Sequence, residues 1–74
     1  MSHGKRETFY NRSLERALLI LNSFRNDRQA LSVAQLSGIL NLPRATVLRL
    51  CTTLASYGYL MQDSASKTYS LGLK

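Results

Sequence analysis

At 74 residues the chain has room for one small domain and not for two independent cores. Its 45% apolar content excludes a disordered tail, no apolar run approaches the ~18 residues of a membrane span, and the opening Met-Ser-His-Gly lacks an apolar signal segment. Ten Lys and Arg against four acids leave a net charge of +6, which favours a polyanionic partner because binding to phosphates releases counterions; the alternative is a basic piece of a larger, balanced protein.

Residues 1–11 are polar and basic, with Lys5 and Arg6 adjacent, and read as a flexible arm. Part of that arm could derive from cloning, so His3 is given no functional weight. From Arg12 the pattern turns helical: Leu14, Ala17, Leu18, Leu21 and Phe24 recur at helical spacing and predict the core stripe of a first helix. Asn11 or Ser13 can cap its start, and the polar segment 25–29 should end it. Leu19 and Ile20 fall off the stripe and are expected to be partly exposed in a monomer. "ALLIL" is thus apolar nearly all round, which predicts burial on two sides. Leu19 and Ile20, joined by Phe9 and Tyr10 from the arm, are the candidate homodimer surface; the alternative is the arm packed over its own domain.

Ser32 and Gln35 have the spacing of a capping box, followed by apolar Leu36, Ile39 and Leu40, and predict a second helix. Gly38 weakens it by up to ~1 kcal/mol, which close packing against another helix would explain. Asn41 tolerates the left-handed conformation that ends helices, and Pro43 cannot prolong the second helix but suits the first turn of a third. Asn41-Leu42-Pro43 is therefore expected to be a tight turn. The third helix should run from about Arg44 to Tyr57, with Gly58 as its stop. Tyr59 to Gln62 and Thr68 to Leu71 read as two short strands around the hairpin loop 63–67.

This order of elements is that of a winged helix-turn-helix, mainly α with a small antiparallel β-hairpin, in which the helix after the turn enters the major groove. Between Gln29 and Gln62 the only charged side chains are Arg44 and Arg49. In the third helix Val47, Leu50, Cys51 and Leu54 share one face, while Ala45, Thr46, Arg49, Thr52, Thr53 and Ser56 gather on the other. Arginine offers two parallel donors to guanine or to a phosphate, and threonine offers a hydroxyl and a methyl. A carboxylate there would repel phosphates, and there is none. The candidate DNA contacts are Arg44, Ala45, Thr46, Arg49 and Thr53, with Lys67 at the wing; a solvated loop lysine is the alternative for Lys67. Arg44 opens its helix, where a cation opposes the macrodipole by a few tenths of a kcal/mol, a cost that a nearby phosphate offsets.

"SLERALLIL", "LSVAQLSGILNLPRATVLRLCTTLASYGYL" and "YSLGLK" together resemble the N-terminal DNA-binding domain of IclR-type bacterial transcriptional regulators. The resemblance covers about residues 13–74 and lies in the order of the elements: Ser-Leu-Glu-Arg-Ala opening the first helix, Leu-Pro-Arg before the recognition helix, Arg49-Leu50 within it, and Tyr69 with Leu71-Gly72 closing the wing. It implies a domain over 12–74 that dimerises through its first helix and binds a palindromic or near-palindromic double-stranded operator. It also implies a larger C-terminal effector domain, absent from this chain, that senses a small metabolite. Arg44, Thr46 and Arg49 match the family's recognition stretch. Ala45 and Leu48 depart from it, since many relatives carry serine and a polar or aromatic residue at those positions.

An enzyme has almost no support in the sequence. Glu7, Glu15, Asp27 and Asp63 are scattered and the one histidine lies in the arm, so no acid–base pair assembles. The single Cys51 excludes an internal disulfide and a Cys-cluster zinc site. The expectation is a cytoplasmic DNA-binding domain without catalytic residues, cofactor, metal or membrane contact; the alternative is a winged helix that binds proteins without binding DNA specifically.

Overall fold

Asn11 starts the first helix, α1 (Arg12–Asn22): its side-chain oxygen accepts the Leu14 N–H at 2.9 Å, so of the two candidate caps this one is used. The structure, a computed structural model, describes residues 9–26 and 28–72. Most of the expected basic arm, residues 1–8, and the Leu73-Lys74 end of the closing motif lie outside the described residues. α1 ends at Asn22, ahead of the polar segment 25–29 in which it was expected to fade, and the Ser23 hydroxyl donates to the Leu19 carbonyl at 2.8 Å.

The face that α1 buries differs from the expected one. Ile20 is 0% exposed and sits in the core with Phe24, whereas Leu14 and Leu18 are 58% and 50% exposed. Ala17, Ile20, Leu21 and Phe24 form an i, i+3, i+4, i+7 set of their own, and that set is turned inward. "ALLIL" carries two overlapping helical stripes, and periodicity alone does not choose between them.

The chain then forms a two-residue strand, β1 (Leu31–Ser32), which the sequence did not announce. It leads directly into α2 (Val33–Leu40), and the predicted capping box is present: Gln35 N–H donates to Ser32 Oγ at 3.1 Å and Ser32 N–H to Gln35 Oε1 at 2.8 Å. Close packing is not the reason for Gly38. A β-carbon there would meet nothing within 4 Å, and the residue is exposed.

The turn after α2 is as predicted. Asn41 adopts a left-handed conformation (φ 56°), and its N–H and that of Leu42 both reach the Ser37 carbonyl. The Ser37 hydroxyl donates back to the Leu42 carbonyl, so one serine closes the turn from both sides. α3 (Arg44–Ser56) follows at once, with Pro43 in the capping position rather than in the first turn. At the other end Gly58 (φ 86°) completes a Schellman stop: Gly58 N–H donates to Ala55 at 3.1 Å and Tyr59 N–H to Leu54 at 2.9 Å.

β2 (Leu60–Asp63) and β3 (Thr68–Leu71) form the hairpin, one residue later at its start than expected. The sheet order is β1–β3–β2, all antiparallel, with Leu31 opposite Tyr69 and Gln62 opposite Tyr69 on its other side. Gly72 pins the returning strand to the end of α3. A β-carbon on it would lie 2.1 Å from the Gly58 carbonyl oxygen, so only glycine fits. The core takes Ile20, Phe24, Leu31, Leu36, Val47, Cys51, Leu60 and Tyr69, so every helix and strand contributes at least one buried side chain. Burial raises the Cys51 thiol to about 11, which keeps it protonated and inert at neutral pH.

Candidate nucleic-acid interface

α3 is held on one side by Val47 and Cys51, both buried, and by Leu50 and Leu54, both packed against the core. At 100° per residue the opposite side must carry Ala45, Arg49, Thr52 and Ser56, and all four are exposed. Arg44 is exposed at the helix start and Thr46 is half-buried at the edge of the face. Neither guanidinium is held by a protein acceptor among the described residues, so both are available to an outside anion. The turn closed by Ser37 fixes where this face points relative to α2. In this arrangement an exposed, cationic helix follows a tight turn, with no carboxylate along its length.

Thr53 is exposed too, but its hydroxyl donates to the Arg49 carbonyl at 2.9 Å, one turn back on the same helix. In that rotamer it can accept a hydrogen bond and cannot donate one to a phosphate. Ser56 behaves alike, donating to the Thr53 carbonyl at 2.7 Å. Leu48, set aside in the sequence as a departure from the family pattern, is half-exposed beside Arg49.

The wing is built on Asp63. One of its carboxylate oxygens accepts from the Ser66 hydroxyl at 2.8 Å and the other from the Ala65 N–H at 3.1 Å. The Ser66 hydroxyl, followed by the Ala65 N–H, holds the Asp63 carboxyl below its ordinary range. Lys67 closes the loop, its N–H donating to the Asp63 carbonyl at 2.7 Å, and takes a left-handed backbone (φ 62°) that is uncommon for a residue with a β-carbon. Its side chain is exposed. Because Ser32 pairs with Thr68, the start of α2 lies beside the base of this wing.

A second surface lies on α1. Phe9, Tyr10, Asn11, Leu14, Glu15, Leu18 and Leu19 line an open groove of ≈ 400 Å³. Of the four residues expected at a dimer contact, Phe9, Tyr10 and Leu19 belong to it. Ile20 does not: it is enclosed in the core and cannot meet a partner. Leu14 and Leu18 line the groove in its place, although their i, i+4 spacing predicts the core stripe. The Tyr10 hydroxyl donates to Glu15 at 2.6 Å, which clips the end of the arm onto α1.

Among the described residues no group of acids, histidine and cysteine could hold a metal ion, and no helix is long and apolar enough to cross a membrane. The fold and the acid-free α3 define a helix-turn-helix domain of the DNA-binding class.

The chain belongs to the IclR family: the model of the IclR helix-turn-helix domain matches residues 13–64. It is 36% identical over 62 residues to the HTH-type transcriptional regulator XynR of Escherichia coli (strain K12), covering 84% of this chain and 25% of that protein. Over 59 residues it is 39% identical to the Pca regulon regulatory protein of Pseudomonas putida, covering 80% and 20%. Among solved structures it is similar to an IclR family transcriptional regulator from Brucella abortus, with a TM-score of 0.86, 32% identity, and 99% of this chain and 29% of that one covered. The chain thus spans about a quarter of the length of the relatives it matches. Those relatives are bacterial transcriptional regulators rather than enzymes.

Proposed function

We propose that this chain is the operator-reading domain of a homodimeric bacterial transcriptional regulator that acts in the cytoplasm and answers to a small metabolite. α3 lies in the major groove of double-stranded DNA. Arg49 reads a base edge, while Arg44 and Lys67 meet phosphates. Thr46 and Ala45 flank the reading position, and Thr53 accepts a bond or contacts through its methyl. Two copies meet along the groove of α1 and so present two recognition helices to a palindromic or near-palindromic site. The metabolite acts through an effector domain beyond residues 12–74.

The observation that carries this reading is the exposed face of α3: two arginines without a protein acceptor among the described residues, no carboxylate on the helix, and small hydroxyl and methyl side chains between them. Soluble helix faces that serve no anion usually mix both signs. The test is a titration of the chain against random duplex and against duplexes it selects from a random library, at several salt concentrations. Binding must weaken steeply with salt, by a slope of about −0.9 for each phosphate neutralised. A winged helix that serves only proteins would enrich no duplex and show no such slope.

A further inference from the structure

Beside the small Ala45, the exposed part of α3 carries one large residue that neither phosphates nor polar base edges can use. Leu48 directly precedes Arg49, stands one turn from Arg44 and Thr52, and is 49% exposed. It is not among the side chains packed against the core, whereas Leu50, Leu54 and Ala55 on the same helix are. The fold therefore does not require leucine at this position. Laid against a polar base edge or a phosphate, its isobutyl group would strip water and return no hydrogen bond, which is unfavourable. The major groove displays one apolar group, the 5-methyl of thymine.

We propose that Leu48 is a specificity-determining residue that packs on a thymine methyl, so that each half-site must hold an A·T pair next to the base pair read by Arg49. This rests on the reading that α3 enters the groove, and it adds to that reading a base identity that charge alone does not supply. The neighbouring guanidinium makes the contact selective. Arg49 anchors the helix to the duplex, and the leucine then meets a methyl or a bare ring edge at a fixed place.

The test uses the 74-residue chain and duplexes it selects from a random library. In the selected duplex each thymine is replaced in turn by deoxyuridine, which removes the methyl and nothing else. The expected result is one thymine per half-site whose replacement weakens binding about fourfold, the equivalent of one buried methyl group. Leu48→Ala should bind the thymine and uracil duplexes equally, and Leu48→Met should keep most of the preference. Because the uracil scan needs no protein variant, it stands even if Leu48→Ala folds poorly. A scan that is flat at every position, on a duplex bound tightly and with steep salt dependence, overturns the role of Leu48 and leaves the DNA reading intact. So does a methyl preference that survives in Leu48→Ala. If no duplex is enriched at all, the DNA reading itself fails.

Discussion

α1 and α3 are built alike on their inner sides and oppositely on their outer ones. Each buries an apolar stripe in the same core, Ile20 from α1 and Val47 and Cys51 from α3. Outward, α1 shows Leu14, Leu18 and Leu19 with Phe9 beside them, while α3 shows Arg44, Arg49 and a row of hydroxyls. Water tolerates the second surface and disfavours the first. Under the proposed function, the apolar face rimmed by Asn11 and Glu15 meets another copy of itself, because a two-fold contact sets the same patch against itself. A cationic face without acids is matched by phosphates and base edges. The inner sides make the domain, and in the proposed function the outer sides divide its work between assembly and recognition.

The sharpest way to break this division is to change neighbours that point in opposite directions. Ile20→Ala should cost about 2–5 kcal/mol of stability, since it empties a fully buried site, and urea unfolding would measure it. The pair Leu18→Glu and Leu19→Glu, two residues and one residue away, should change the stability of the folded monomer by only about 0.5 kcal/mol. It should instead separate the copies, seen by sedimentation, and lower affinity for a selected palindromic duplex on the order of a hundredfold through lost avidity. A double variant that keeps the mass of a dimeric parent, or a parent already monomeric at high concentration, would remove α1 from assembly.

α2 supplies a control, because its outward Gly38 touches nothing. Gly38→Ala should stabilise the domain by up to ~1 kcal/mol, read as a raised thermal midpoint, since a methyl fits there and the helix gains rigidity. A lowered midpoint would mean that the space is needed. A smaller effect is expected at the wing. Lys67→Ala keeps a β-carbon at the same left-handed position, so the fold should not change. Binding to every DNA sequence should weaken about equally, with the salt slope reduced by roughly one unit. A loss confined to the selected duplex would make the wing a reader of bases or of groove shape.

What the sequence disclosed and what it withheld follow from the range of the interactions. The capping box at Ser32, the left-handed Asn41 and the stop at Gly58 are local, each decided by a few adjacent residues, and each formed as expected. β1 is non-local. Leu31 becomes strand only by pairing with Tyr69, far along the chain, and two residues hold no period to detect. Ile20 departs from expectation because both stripes of α1 satisfy helical spacing, and only the position of α2 and α3 decides which of them is buried. Arg44 and Arg49 were legible because an acid-free stretch is visible without any fold. The hydroxyl of Thr53 was not, since its turn onto the Arg49 carbonyl depends on a rotamer. The groove on α1 was half legible: its aromatic and Leu19 contributions were named, its Leu14 and Leu18 were not.

The division between the two outer faces is decided most directly at Arg49. Arg49→Ala and Arg44→Ala would be titrated against a selected duplex, a panel of its single base-pair substitutions, and random duplex, each at two salt concentrations. Arg49→Ala should cost about 1–3 kcal/mol on the selected duplex and relax discrimination at one base pair per half-site, expected to be G·C. Arg44→Ala should weaken selected and random duplex alike, with a shallower salt dependence and an intact or slightly more stable fold, since a cation leaves the positive end of α3. If Arg49→Ala keeps full base preference while Arg44→Ala loses it, the two roles are reversed. If neither variant changes affinity, α3 does not face the DNA.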